Sequence, residues 1–312
     1  MEFGVHLPLM QLGEEGLSFG RLAAAVDSAR DCGFVAVSAN DHFIFQRPWL
    51  DGPTALASVI ERSGEMALAT TVSLPVLRGP VALAKALAAL DTLSRGRLLA
   101  AVGAGSSERD YDALGISFEA RWKIFDEALA VLRALLKGEP FPTDARYYPG
   151  ASEVELAPLP WQQRRIPLWV GSWGSTGGLA RVARAGDGWL ASAYNTDPDG
   201  FSAARARLAG ALAQRGRDAH DFPSALATMW TWVSQDRAEC DRLLAEVLAP
   251  LLKRAPDELC GQVCVGPAEH CAELLSRYAE AGCQRVYLWP LGEERRQLEL
   301  FAAEVAPKVE AR

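Results

Sequence analysis

The chain has 312 residues, of which 49% are hydrophobic and 23% charged, and its formal net charge at pH 7 is −7. This composition is typical of a globular protein, and the acidic balance argues against nucleic-acid binding, which usually needs a basic surface. No apolar run is long enough to span a bilayer, and the N-terminus lacks the pattern of a secretory signal. We therefore expect a cytoplasmic protein that binds neither membrane nor nucleic acid.

The first third of the chain repeats a predicted strand followed by a predicted helix. Short apolar or β-branched runs recur every 31 or 32 residues and begin at Phe3, Phe34, Met66 and Arg97. Helical patterns over 19–32, 53–62 and 80–93 separate these runs, and Pro80 suits the first position of a helix. This alternation predicts parallel strands joined by crossover helices.

Four further runs begin at Ile166, Gly188, Ala225 and Gln284, which brings the predicted strands to eight. Eight such units close into a (β/α)8 barrel, so we predict one TIM-barrel domain over 1–312. A doubly wound sheet is disfavoured because the first strand ends in HLPLM rather than in a glycine-rich turn.

Two gaps between predicted strands are longer than the others. The gap between the fourth and fifth strands holds a predicted helix over 121–137 and an insertion at about 138–165 on the C-terminal face. The gap between the seventh and eighth strands holds predicted helices over 235–253 and 267–281.

The cysteines predict no metal site. They are Cys32, Cys240, Cys260, Cys264, Cys271 and Cys283, and no two form a CxxC pair. The group Cys260, Cys264, His270 and Cys271 resembles a zinc site only loosely, since three residues separate its first two cysteines and no second ligand pair follows. We interpret these cysteines as small hydrophobic residues with reduced thiols, in keeping with a cytoplasmic location.

Two features near predicted strand ends can carry chemistry, because the strand C-termini build the active site of a barrel. The segment Gly171–Gly178 follows an apolar strand and precedes a helix, which favours a phosphate site made of backbone N–H groups, although a plain glycine-rich turn has the same pattern. His42 is a candidate for proton transfer, or alternatively a surface-loop histidine. His6, on strand one, is a further candidate, or alternatively a packing residue that faces the interior of the barrel.

Several segments together resemble the luciferase-like family of flavin- and deazaflavin-dependent oxidoreductases. They are FGVHLP at the start, the stretch from Gly33 to His42, ATTVSLP from Ala69, LDTLSRGRLLAAVGAG from Leu90, and PLWVGSWGSTGGLARVARAGDGWL from Pro167. Their order along the chain is the order of the family. The resemblance implies a barrel that binds coenzyme F420 or FMN at the C-terminal ends of its strands.

The resemblance also implies a role for individual residues. It places His42 beside the reactive face of the cofactor ring, as the catalytic residue, and a non-proline cis peptide at Thr71–Val72 behind the ring. Implied cofactor contacts are Asp41, Thr70, Thr71, Val72, Gly103, Ser106, Ser107, Glu108, Gly171, Ser172, Trp173, Gly174, Ser175 and Thr176. An aromatic substrate pocket is predicted from His6, Trp49, Trp230 and Trp289, although tryptophans of this kind also occur as core residues.

The chain departs from some F420-linked dehydrogenases of the family at Ser106, where those enzymes carry an acid after the GxG of strand four. This difference argues against a sugar-phosphate substrate. F420-dependent hydride exchange with a small, largely apolar organic substrate is favoured. The alternatives are an FMNH2-dependent monooxygenase supplied by a partner flavin reductase, and a relative that has lost its cofactor and serves as a binding subunit. The resemblance further implies a homodimer.

Overall fold

A computed structural model describes residues 1–141, 145–163 and 166–309. The strands in these ranges are β1 (Glu2–His6), β2 (Ala36–Ala39), β3 (Ala67–Ser73), β4 (Leu98–Val102), β5 (Leu168–Gly171), β6 (Gly188–Ser192), β7 (Ser224–Val233), β8 (Cys264–Gly266) and β9 (Arg285–Pro290). All pairings between these strands are parallel.

The α-helices of the same ranges lie between the strands. They are α1 (Phe19–Asp31), α2 (Gly52–Ser58), α3 (Pro75–Arg78), α4 (Pro80–Leu93), α5 (Glu108–Ala113), α6 (Arg121–Lys137), α7 (Thr176–Ala185), α8 (Pro198–Ala213), α9 (Arg237–Arg242), α10 (Ala249–Leu252), α11 (Pro256–Cys260), α12 (Ala268–Glu280) and α13 (Glu294–Leu300). Helical turns of other types cover Pro149–Glu153, Ala193–Asn195, Leu243–Leu248, Phe301–Val305 and Ala306–Lys308. No helix within the described ranges is long and apolar enough to cross a membrane.

Eight strands close into a barrel, which confirms the predicted fold class. Strands β1 to β6 pair in sequence order, β6 pairs with β7, β7 with β9, and β9 with β1. The short strand β8 was not predicted and pairs only with the last three residues of β7. Strand β7 pairs with β9 along its length and with β8 at its end. Its register against β9 shifts between Leu226 and Met229, where Thr228 has a left-handed backbone (φ 56°).

The barrel interior is filled by two large aromatic side chains that face small residues. Tyr287 from β9 and Trp169 from β5 form a buried cluster with alanines of β2, β3, β4 and β7. A Cβ atom at Gly4 would lie 2.7 Å from the Tyr287 ring, so β1 leaves the space that this ring occupies. The interior is therefore a packed core, and a ligand site must lie at its ends.

Helix boundaries follow local hydrogen-bonding signals. The predicted helices over 19–32, 80–93 and 121–137 are confirmed within one residue. Ser18 caps α1 by accepting from the Arg21 N–H, and Gly138 ends α6 in a left-handed conformation. The predicted helix over 53–62 is wrong in its second half, because α2 ends at Ser58. The Ser58 hydroxyl donates there to the carbonyl of Ala55, a local bond that competes with helix continuation.

The two predicted helices between β7 and β9 are also present. The first corresponds to the helical run from Arg237 to Leu252, whose middle turn is wider than an α-helix, and the second corresponds to α12.

The predicted insertion at about 138–165 packs along the outside of α4 and α6. Glu127 of α6 accepts hydrogen bonds from the backbone N–H groups of Arg146, Tyr147 and Tyr148. At the other end of the segment, Gln162 donates to the buried Asp91 carboxylate of α4 at 2.6 Å. Residues 142–144, 164 and 165 of the insertion lie outside the described residues.

Candidate active site

A cavity of about 440 Å³ opens at the carboxyl ends of β2 to β7. Its wall is made of residues 40–42 after β2, Thr71 and Val72 of β3, the loop 103–106 after β4, the loop after β5, and the ends of β6 and β7. A larger depression of about 540 Å³ lies between the start of α4 and residues 148–157 of the insertion. That depression is away from the strand ends, so the central cavity is the candidate active site.

The floor of the cavity is formed where β3, β4 and β5 end. The peptide bond Thr71–Val72 is cis, as predicted. The Val72 side chain fills the space between the neighbouring strands, because a Cβ at Gly103 would lie 2.9 Å from Val72 Cγ2 and one at Gly171 would lie 3.0 Å from Val72 Cγ1. The predicted site glycines Gly103 and Gly171 therefore line the cavity and also make room for this valine.

The loop from Gly171 to Gly178 offers backbone donors as well as hydroxyl groups. Ser172 Oγ accepts from the Gly174 N–H, and Ser175 Oγ caps α7 by accepting from the Gly178 N–H, both at 3.2 Å. These two serines are thus used to shape the loop. The N–H groups of Thr176 and Gly177 lie in the first turn of α7, where a helix provides no internal partner. An anion in the cavity would meet this helix terminus.

Arg121, the first residue of α6, also lies in the wall of the cavity. It is the only Lys or Arg in the part of the cavity wall that the structure describes. Its guanidinium carbon lies 3.7 Å from the centre of the Phe118 ring, and its buried Nε has no hydrogen-bond partner among the described residues. Sequence reasoning missed Arg121, since nothing distinguishes it from other arginines at helix starts.

His42 lies in the cavity wall and is held between a carboxylate and two aromatic rings. Its Nδ1 is 3.4 Å from Oδ2 of Asp110 in α5. The ring centres of Phe45 and Trp49 lie 4.7 and 4.6 Å from that of the imidazole. Trp49 is placed by an antiparallel bridge between the loops after β1 and β2, in which it pairs with Met10. The predicted catalytic histidine is therefore an ordered part of the cavity wall.

Asp41 holds the His42 loop in place through ion pairs. Its buried carboxylate accepts from Arg78 Nε and Nη2, both at 2.7 Å, and from the Leu74 N–H at 3.1 Å. Arg78 also pairs with Asp51, the residue that caps α2. Burial acts to lower the pKa of Arg78, but its hydrogen bonds to Asp41 and Asp51 outweigh that and raise it. The predicted cofactor contact Asp41 lines the cavity, and its side chain is committed to this network.

Hydroxyl groups line the opposite wall, at the ends of β6 and β7. Ser192 Oγ lies 3.0 Å from Thr228 Oγ1 and accepts from Asn195 Nδ2 at 3.0 Å. Tyr194 lines the cavity beside them, and burial raises the pKa of its phenol. Sequence reasoning assigned these residues no role. This wall can donate hydrogen bonds to the polar edge of a ligand ring.

Some predicted site residues do not line the cavity. Thr70 is buried behind it and donates to the Ala101 carbonyl at 2.6 Å, Ser107 caps α5, and Glu108 is exposed. Gly174 and Thr176 belong to the loop after β5 but are not in the wall, whereas Ser106 and Trp173 are.

The four residues predicted to form the substrate pocket lie together beside the cavity, in a mostly buried aromatic cluster. His6 stacks on Trp289 with ring centres 3.6 Å apart, and Trp230 stacks on Trp289 at 4.2 Å. Trp49 touches Trp289 edge-on at 5.6 Å and connects this aromatic cluster to His42. Residues of the cluster other than Trp49 are almost fully buried. None of the four is in the described wall of the central cavity.

Comparison with known proteins identifies the family. A sequence model of the luciferase-like monooxygenases matches residues 1–256. The chain belongs to this family. The predicted resemblance is thereby confirmed.

Individual relatives are more distant. An uncharacterized protein of Mycobacterium tuberculosis is 32% identical over 153 residues, which are 49% of this chain and 52% of that protein, so the chain spans about half the length of this relative. An F420-dependent glucose-6-phosphate dehydrogenase of Rhodococcus erythropolis is 26% identical over 91% of both chains. The solved structure of an F420-dependent secondary alcohol dehydrogenase with an F420–acetone adduct matches with a TM-score of 0.84, covers 99% of both chains and is 20% identical. That likeness concerns the fold alone.

Proposed function

We propose that this protein is an F420-dependent oxidoreductase that exchanges hydride with a small, largely apolar alcohol or carbonyl compound. One observation carries the proposal. The central cavity brings together a proton-transfer histidine, an apolar floor at Thr71–Val72, and an anion site at the start of α7. Relatives that are named F420-dependent, including one aligned over 91% of the chain, support the choice of cofactor.

The residues present fit a cofactor that carries a phosphate. The first turn of α7 supplies N–H groups, and Arg121 supplies a positive charge whose Nε has no partner among the described residues. Such a donor set is suited to an anionic phosphate group. The flat floor at Val72 and the hydroxyl wall at Ser192 and Thr228 would hold the ring, one from behind and the other at its polar edge.

When bound, a deazaflavin supplies the carbon that gives or takes the hydride. The protein has three tasks around it. His42 takes a proton from the substrate hydroxyl during oxidation, or returns it during reduction. The network of Asp41, Arg78 and Asp51 fixes the His42 loop, and Phe45 and Trp49 pack against the imidazole.

The electrostatics of the cavity favour an uncharged substrate. Arg121 is the sole Lys or Arg in the described wall, and we assign it to the phosphate of the cofactor. No second cation in that wall is left for a phosphate on the substrate, and Ser106 stands where some relatives carry an acid. We therefore propose a substrate class unlike the sugar phosphate of the Rhodococcus erythropolis relative, namely small secondary alcohols and the matching ketones.

Fluorescence titration with F420 and, separately, with FMN tests the cofactor. We expect F420 to bind in the micromolar range or tighter, and the F420 absorbance to fall on addition of propan-2-ol or cyclohexanol but not of glucose 6-phosphate. Binding of neither cofactor would contradict an enzymatic role for this cavity. Turnover of the sugar phosphate alone would contradict the proposed substrate class.

The second candidate is an FMNH2-dependent monooxygenase, which the description of the family favours. Its phosphate would use the same loop and Arg121, and a separate flavin reductase would be its partner. Tight binding of FMN without binding of F420 would select this candidate. A homodimer remains part of the proposal in either case, and light scattering of the purified protein measures it.

A further inference from the structure

Asp110 is a buried acid that the proposed function does not use. It lies in the first turn of α5 and is 1% exposed. Its Oδ1 accepts a hydrogen bond from the Ile44 N–H at 2.7 Å. Its Oδ2 is 3.4 Å from His42 Nδ1 and has no hydrogen-bond partner within the described part of the chain. The acid therefore contacts the histidine loop at two points, one on the backbone and one on the ring.

Asp110 Oδ2 and His42 Nδ1 face each other and have no other polar partner among the described residues. His42 Nδ1 is also buried and without a hydrogen bond among the described residues, so both atoms would be unsatisfied if they did not pair. An unpaired buried polar group is costly, and a buried carboxylate more so. At 3.4 Å the contact is within ion-pair distance, and catalytic hydrogen bonds are often longer in free enzymes than in their complexes.

We propose that Asp110 is a positioning residue that fixes the tautomer of His42. The carboxylate holds the imidazole proton on Nδ1, which leaves the lone pair of Nε2 for the cavity that His42 lines. A histidine held in this way accepts a proton through Nε2 and, once charged, is stabilised by the carboxylate behind it. The tautomer belongs to the free protein, whereas its use in proton transfer rests on the proposed function.

Other charges around His42 do not compete for this role. Asp41 precedes it in the chain, but its carboxylate is bound by Arg78. Phe45 and Trp49 are the ring contacts of the imidazole, and neither carries a charge. Arg121, the remaining charged residue of the described cavity wall, is a cation and cannot accept a hydrogen bond from the ring. Asp110 is thus the acid that faces the ring.

The tautomer is measured by 15N NMR on protein labelled at histidine, without any cofactor. The chain has four histidines, so loss of one signal set in His42→Gln assigns His42. We expect Nδ1 of neutral His42 to show the shift of a protonated nitrogen and Nε2 that of an unprotonated one. The opposite assignment in the unmodified protein would overturn the proposal, whether or not an Asp110 variant folds.

Asp110→Asn provides the matched variant. The amide oxygen still accepts from the Ile44 N–H, while the amide nitrogen now donates to His42 Nδ1, so we expect the proton to move to Nε2. Asp112→Asn makes the same change at an exposed position of the same helix and should leave the tautomer unchanged. An unchanged tautomer in Asp110→Asn would also overturn the proposal.

Turnover gives a second, separate measurement. With F420 and propan-2-ol, Asp110→Asn should lower kcat by about 100-fold, the low end for general acid–base catalysis, while the Kd of F420 stays unchanged. Combining it with His42→Ala should cost no more than His42→Ala alone, because Asp110 acts through His42. Fully additive losses would overturn the positioning role. Absence of F420 binding would instead contradict the proposed function and leave the NMR result standing.

Discussion

Two histidines follow neighbouring strands of the barrel, yet their surroundings differ in almost every respect. His6 ends β1, is fully buried, and has a partner at each ring nitrogen, with Nδ1 2.7 Å from the Leu7 carbonyl and Nε2 3.1 Å from Asn40. His42 follows β2, lies in the wall of the cavity, and has one polar contact, to Asp110. Both rings touch aromatic neighbours.

The difference shows that the position of a histidine relative to the cavity decides whether it serves packing, as His6 does, or is available for chemistry, as His42 is. Burial lowers the pKa of His6 to about 4, against the weaker raising effects of its bonds to Leu7 and Asn40, so this imidazole stays neutral at physiological pH. A neutral ring with both nitrogens occupied can pack but cannot exchange protons easily. His42 keeps one nitrogen for a ligand. The sequence left both histidines as candidates for the site, and their surroundings favour His42.

Replacing His42 should have the largest effect on catalysis. His42→Ala removes the group that takes the substrate proton, so we expect kcat with F420 and propan-2-ol to fall by about 10²- to 10⁴-fold. The Kd for F420 should change little, because the phosphate loop lies on another side of the cavity. Steady-state kinetics and fluorescence titration measure the two quantities. His220→Ala, at an exposed position outside the cavity wall, is the control. Unchanged turnover in His42→Ala would remove His42 from the mechanism.

The fold was predictable because its signals are local. Regular strand spacing identifies the barrel, and capping residues such as Ser18 and Gly138 mark helix ends. The short strand β8 could not be found in this way. It has three residues and pairs alongside the last three residues of β7, a pairing that the spacing of strands does not encode.

The site was predictable only where a residue type carries its own signal. The glycine loop and the histidine after β2 were found, and the resemblance supplied the cis peptide at Thr71–Val72. Arg121 and Asp110 were not assigned, because an arginine at a helix start and an acid in a first helical turn are common. Their roles arise from distances between β2, β4 and the following helices, which periodicity does not encode.

The second prediction concerns His6 and the stability of the fold at acidic pH. The unfolded chain binds a proton at His6 near pH 6.5, whereas the folded chain does so only near pH 4. The contribution of neutral His6 is thus fully present above pH 6.5 and is lost as the pH falls toward 4. Between pH 7 and pH 5 this loss amounts to about 2 kcal/mol of the free energy of unfolding.

Urea unfolding at both pH values measures this loss in the unmodified protein and in His6→Gln. We expect the variant to lose about 2 kcal/mol less on acidification, because glutamine does not titrate. His220→Gln changes an exposed histidine and should behave like the unmodified protein. An equal loss in His6→Gln would mean that the imidazole is not held neutral by burial, and the contrast between the two histidines would fail.

The third prediction, with the smallest expected effect, concerns the affinity for the cofactor. It tests the role of Arg121, which lines the cavity together with His42. Arg121→Gln removes the positive charge beside the phosphate loop, so a phosphate would lose a charge-assisted hydrogen bond worth about 1.5–3 kcal/mol. We expect the Kd of F420 to rise by about 10- to 100-fold, with less dependence on salt concentration. Lys123→Gln, two residues further along α6, is exposed, is absent from the cavity wall and should leave the Kd unchanged. The phosphate-free deazaflavin should bind equally to the Arg121→Gln variant and to the unmodified protein, since the lost interaction involves only the phosphate. If both ligands weakened alike, Arg121 would support the shape of the cavity through Phe118 rather than bind the phosphate.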